Sequence, residues 1–107
     1  MSDAVNGESW SGEFSVPVDH PCLPGHFPGE PIVPAVLILD LSCELLRRLE
    51  PALGMLHEVR SAKFTRPVRP GDTVRVSATG AGGLLRLNCH TGEGLAVQAQ
   101  LLFGAAP

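Results

Sequence analysis

Apolar and polar positions change rhythm several times along the chain. Residues 1–12 (MSDAVNGESWSG) are polar and acidic without periodicity and read as a flexible tail. Residues 13–18 (EFSVPV) alternate weakly, which predicts a strand. Pro17 places that strand at a sheet edge, because proline cannot donate to a ladder. The following DHPCLPGHFPGEP is dense enough in Pro and Gly to predict an irregular, tightly turned loop. From Pro34 the pattern becomes helical, with proline at the first helical position, where its missing N–H costs nothing. The helix runs to about Glu50, and Pro51 stops it. Its first half, 35–39 (AVLIL), is apolar on every side and predicts a helix buried all round.

After the helix the period shortens to that of strands. Residues 56–68 form a long extended candidate ending in the turn RPVRPGD. Residues 73–79 (TVRVSAT) place Val74, Val76 and Ala78 on one face. Gly80 to Gly83 turns the chain into 84–90 (LLRLNCH), and 91–94 turns it again into 95–103 (LAVQAQLLF). One strand, one central helix and four strands joined by tight turns predict an α+β fold, with a sheet wrapped around the helix.

At 107 residues the chain makes one domain, here 13–107 behind the tail. Its 44% hydrophobic and 18% charged residues lean towards an oligomer, since a partner would cover part of the apolar surface. The start carries no basic or apolar leader, and no apolar run approaches the roughly 18 residues of a membrane span. Cys22, Cys43 and Cys89 are odd in number and form no close pair, so we expect reduced thiols in a cytoplasmic protein. The net charge of -3 argues against nucleic acid as a partner. Five of the eight basic residues (Arg60, Lys63, Arg66, Arg69 and Arg75) nevertheless fall between 60 and 75. That stretch is either a solvated strand face or a docking patch for an acidic partner.

The candidate chemistry centres on Asp40, alone in a greasy run, and on His26, fourteen residues before it. A carboxylate in apolar surroundings is costly unless paired or neutralised. Asp40, Glu44, Arg47 and Arg48 also share one helical stripe and could be no more than its wet side. His26 is held between Gly25 and Phe27-Pro28-Gly29, a rigid turn that suits a positioned base. The helix start offers free N–H groups at 35–37 for a developing oxyanion. A base, an acid and an oxyanion site suit proton abstraction beside a carbonyl, followed by loss of a leaving group. His20, Cys22 and His26 (HxCxxxH) form only a weak metal signal, and Cys43 reads as a packing residue before a nucleophile. Without a Lys-Ser/Thr, GHFPG is no phosphate loop, so neither a metal nor a cofactor is called for.

The segment GHFPGxPxxP, followed by an apolar helix with a carboxylate fourteen positions after the histidine, resembles the active-site segment of the hotdog-fold 3-hydroxyacyl-[acyl carrier protein] dehydratases. AKFTRPVRPGD (62–72) is similar to the strand and turn that follow the central helix in that family. The resemblance covers about residues 13–103. It implies an antiparallel sheet around one helix, dimerising through the sheets, with His26 of one subunit facing Asp40 of the other. By the same resemblance His26 takes the α-proton of a 3-hydroxyacyl thioester, and protonated Asp40 assists departure of the hydroxyl as water. The backbone N–H of Ala35 or Val36 polarises the thioester carbonyl. Arg60, Lys63, Arg66 and Arg69 then hold the acidic acyl carrier protein, and small dehydratases of this kind occur in aryl-polyene pathways.

Two positions depart from the pattern: Ala35 stands where the family usually has Gly, and Glu44 where it usually has Gln. They motivate one alternative, a non-catalytic hotdog subunit that pairs with another dehydratase, as a heterodimer in place of a homodimer. The helix-end oxyanion site also fits a second, an acyl thioesterase on the same scaffold.

Overall fold

The computed structural model describes residues 8–18 and 32–104. Among them are strand β1 (Glu8–Ser15), helix α1 (Ala35–Leu49), a short 3-10 turn (Pro51–Leu53), and strands β2 (Met55–Phe64), β3 (Thr73–Ala81), β4 (Leu84–Thr91) and β5 (Gly94–Gly104). The strands form one antiparallel five-stranded sheet in the order β1-β3-β4-β5-β2. With the single helix on one face, this is the hotdog arrangement. Among the described residues no helix is long and apolar enough to cross a membrane.

Alternation decides which side of the sheet meets the helix. Val74, Val76 and Ala78 of β3 are buried, as are Leu85, Leu87 and Cys89 of β4 and Val97, Ala99, Leu101 and Phe103 of β5. Leu37, Ile38, Cys43 and Leu46 of α1 complete this core, together with Val16, Val33 and Val68. The outer face carries the alternate residues, including Arg75, Ser77, Arg86, Asn88, His90 and Gln98.

The structure departs from the sequence pattern in three places. β1 begins at Glu8, not at residue 13, so 8–12 belong to the sheet and not to a tail. In ESWSGEFS, Trp10, Gly12 and Phe14 face the helix; a Cβ at Gly12 would stand 3.3 Å from Leu45, and glycine there lets the helix lie close. The helix, expected to be buried all round, is buried on one face only, because a five-stranded sheet reaches only one side of it. Val36 is 74% exposed, and Ala35 and Asp40 are exposed as well. Third, the extended run 56–68 is shorter as a strand and carries two register shifts, between Leu56 and Glu58 and between Val59 and Ser61. Each is a bulge in which two residues of β2 oppose one of β5. Nine of the ten β2 residues are exposed, which fits an edge strand that its own helix leaves bare.

Candidate active site

α1 starts without a side-chain cap: Pro34, with φ -59 and ψ 144, leads directly into it. The Pro34 carbonyl accepts from the N–H of Leu37 (3.1 Å) and of Ile38 (3.2 Å). The N–H groups of Ala35 and Val36 come too early in the helix for a carbonyl four residues back, and both residues are exposed. No acidic residue sits in the first turn, so no carboxylate of that turn offsets the positive end of the helix dipole. The helix start is pinned by the Val33 N–H, which donates to the Val68 carbonyl at 2.7 Å, with both valines buried. Val33 and Val68 are therefore positioning residues that the sequence reading did not single out. The signal lay in RPVRPGD, where one valine stands between arginines and prolines.

Val36, Asp40 and Glu44 follow at four-residue spacing on the open face, and Arg47 and Arg48 continue the stripe. Glu44 and Arg48 approach to 4.0 Å with side chains 56% and 74% exposed, a surface pair worth little. The stripe thus joins an exposed apolar first turn and a carboxylate on one accessible surface, beside a helix start whose first N–H groups have no partner within the helix. Behind it, Cys43 is turned into the core. Burial pushes its thiol above the usual range and Asp40 adds to the rise, against an opposing effect of Arg47. A thiol held protonated in this way is a poor nucleophile, and packing is its role here.

His26 lies outside the described residues, as do His20 and Cys22. Among the described residues no group of three or more His, Cys, Asp or Glu side chains could hold a metal ion. The four docking candidates separate into two places. Arg60 and Lys63 stand on β2, where Arg60 lies 3.7 Å from Glu58 and Lys63 is opposite Gln98. Arg66 and Arg69 lie in the segment leading to β3. Arg69 reaches Glu93 at 3.9 Å, and its backbone N–H donates to Asp72 Oδ2 at 2.8 Å. A concavity of about 740 Å³ between Glu13, Arg75, Ser77 and His90 occupies the outer face, across the sheet from Asp40.

Residues 2–98 match a family model described as ApeI-like, ApeI dehydratase. The 3-hydroxyacyl-[acyl-carrier-protein] dehydratase FabZ of Pasteurella multocida (strain Pm70) is 41% identical over 65% of the chain and 51% of its own length. The FabZ of Thermomicrobium roseum is 32% identical over 91% of the chain and 73% of its length. The chain therefore spans only about half of the first of these relatives. Among solved structures, the dehydratase heterocomplex ApeI:P from Xenorhabdus doucetiae superimposes with a TM-score of 0.74 at 19% identity, covering 92% of this chain and 93% of that one. At that identity the likeness speaks for the fold.

Proposed function

The chain belongs to the ApeI-like dehydratase family, and from that premise we propose that it removes water from a 3-hydroxyacyl thioester borne on acyl carrier protein, leaving the trans-2-enoyl thioester. His26 takes the α-proton. The electron pair left on the α-carbon forms the double bond as the C3–O bond breaks, and protonated Asp40 delivers its proton to the departing hydroxyl, which leaves as water. The Ala35 and Val36 N–H groups stabilise the negative charge that the thioester oxygen gains on the way. No cofactor takes part. The observation that carries this reading is the open face of α1, where Asp40 shares one surface with exposed Val36 at the helix start, whose first N–H groups have no partner within the helix. That face suits a site completed by a second subunit, whose His26 would stand opposite Asp40. We place the reaction in the cytoplasm, with Arg60, Lys63, Arg66 and Arg69 offering positive charge to the acidic carrier protein.

The test is absorbance-monitored hydration of a crotonyl thioester, the reverse reaction. We expect His26→Ala and Asp40→Asn each to lower kcat at least about 100-fold, the usual scale for a lost acid or base. Arg66→Glu should raise KM for a carrier-linked substrate more than for a free thioester. A folded wild type that releases free thiol would establish a thioesterase instead. The match to a subunit of a heterocomplex, with Ala35 and Glu44, favours a second reading, a subunit that acts only beside another dehydratase. Activity that appears only on adding a second hotdog chain would select it.

A further inference from the structure

The segment 65–72 (TRPVRPGD) runs from the end of β2 to the start of β3 and is tied down at both ends. Towards β2, the Thr65 N–H donates to the Ala96 carbonyl at 2.8 Å, and its hydroxyl donates to the Leu95 carbonyl at 3.0 Å. Towards β3, Arg69-Pro70-Gly71-Asp72 closes on itself. The Asp72 N–H donates to the Arg69 carbonyl at 3.0 Å, across Gly71 with its φ of 90. Proline in the second place and a glycine of positive φ in the third are the marks of a type II turn. The Gly71 N–H donates to the Val16 carbonyl at 2.7 Å and the Val16 N–H to the Asp72 carbonyl at 3.3 Å, which fastens the turn to the chain just after β1.

The main-chain bond already closes this turn, yet the Asp72 side chain reaches back as well: its Oδ2 accepts the Arg69 N–H at 2.8 Å. That N–H belongs to the same peptide unit as the Val68 carbonyl, which accepts the Val33 N–H at 2.7 Å. A peptide unit is planar and stiff, so a bond held at its N–H also fixes the direction of its carbonyl. The two bonds polarise one another, and the carboxylate makes the first of them charge-assisted. Beyond Val33 stands only Pro34, whose ring holds φ at -59, before α1 begins at Ala35. The helix has no side-chain cap of its own, so the polar anchoring of its start comes from outside, through this relay.

We propose that Asp72 is a positioning residue for the reaction: acting through the Val68–Arg69 peptide, its carboxylate holds Val33 and with it the first N–H groups of α1. The inference rests on the dehydratase reading above, in which the Ala35 and Val36 N–H groups meet the developing charge, and it adds the side chain that aims them. Asp72 touches no reacting atom. An oxyanion bond gains its strength in the transition state, so misaimed donors lower kcat and leave KM for a free thioester near its wild-type value.

The test compares Asp72→Ala, Asp72→Asn and Gly82→Ala in the full chain, by amide hydrogen exchange and by hydration of a crotonyl thioester. Asp72 is only half-buried and its main-chain bonds survive the change to Ala, so that variant should fold. Asp72→Asn keeps an oxygen able to accept the Arg69 N–H. Gly82→Ala strains a left-handed turn at the far end of β3 and controls for a general loss of stability. In Asp72→Ala we expect exchange at Val33 to quicken at least about tenfold more than at Leu87 and Leu101 of the central strands. Its kcat should fall at least about tenfold, with KM within about twofold of wild type. Asp72→Asn should bring both readouts back towards wild type, and Gly82→Ala should leave kcat unchanged. Exchange that quickens equally at Val33, Leu87 and Leu101 would overturn the relay, and so would an Asp72→Ala chain with wild-type kcat. An equal fall of kcat in Gly82→Ala would reduce Asp72 to a contributor to stability. Hydrogen exchange needs no turnover. A folded wild type that hydrates nothing would therefore sink the dehydratase reading, while the Val33 amide would still decide whether Asp72 holds the helix start.

Discussion

Cys43 and Cys89 are buried at 3% and 0% exposure, one on α1 and the other on β4, where the Ser42 hydroxyl and the Cys89 sulfur are 3.5 Å apart. Burial raises the pKa of both thiols, and at Cys89 the contact with Ser42 only partly opposes it. The unfolded chain therefore releases these protons at a lower pH than the folded one. The stability they contribute is complete below the unfolded thiol pKa, about 8.5, and is lost as pH rises from there towards the raised folded values. With no tyrosine and a single lysine, Lys63, few other side chains titrate in this window. Urea denaturation should thus show an unfolding free energy that falls between about pH 8 and pH 10, with a shallower fall in Cys43→Ala and Cys89→Ala. A slope unchanged in both variants would mean that neither thiol gives up its proton more readily in the unfolded chain than in the folded one.

At the scale of elements, the turn between β3 and β4 rests on two glycines of different kinds. Gly82 has φ 65 and open space around it, whereas Gly83 has φ 87 and a Cβ there would collide with the Phe103 carbonyl of β5. The same Phe103 donates its N–H to the Gly83 carbonyl at 2.7 Å, so turn and strand cannot easily separate. Gly82→Ala should cost about 1 kcal/mol for left-handed backbone, and Gly83→Ala about 2–4 kcal/mol because the collision is added. Denaturation midpoints of the two variants check the difference; equal losses would show that the strand yields. That tight turns lie at 80–83 and 91–94 was legible in the sequence, because glycines interrupt clean alternation. β2 was less legible. Its apolar residues 56, 59, 62 and 64 follow no period of two, and only the bulges at His57 and Arg60 bring them to one face. β1 was misplaced for a related reason: Gly12 breaks the apolar series between Trp10 and Phe14, although it faces the helix because the helix comes too close for a side chain.

For the whole molecule, what matters is the side of α1 that the sheet cannot reach. The sequence marked Asp40 and the helix start as a pair of candidates, and their common face is visible in helical spacing alone. Hydrophobicity could not tell that this face is open, since Val36 reads as core and is 74% exposed in the single chain. Apolar side chains there and on the helix side of β2 have the composition of an interface that one chain leaves half built. If a two-fold partner completes it, each site takes its base from one chain and its acid from the other. A His26→Ala chain still carries Asp40, and an Asp40→Asn chain still carries His26. Mixed dimers of the two would contain one intact site and one lacking both groups. After unfolding and refolding in equal amounts, half of the dimers are mixed and one of their two sites works, so about one quarter of wild-type hydration activity should return. Either variant refolded alone should remain inactive. If base and acid belonged to the same chain, no dimer in the mixture would contain an intact pair, and the refolded sample would be as inactive as its parents. Recovery would place the reaction between subunits.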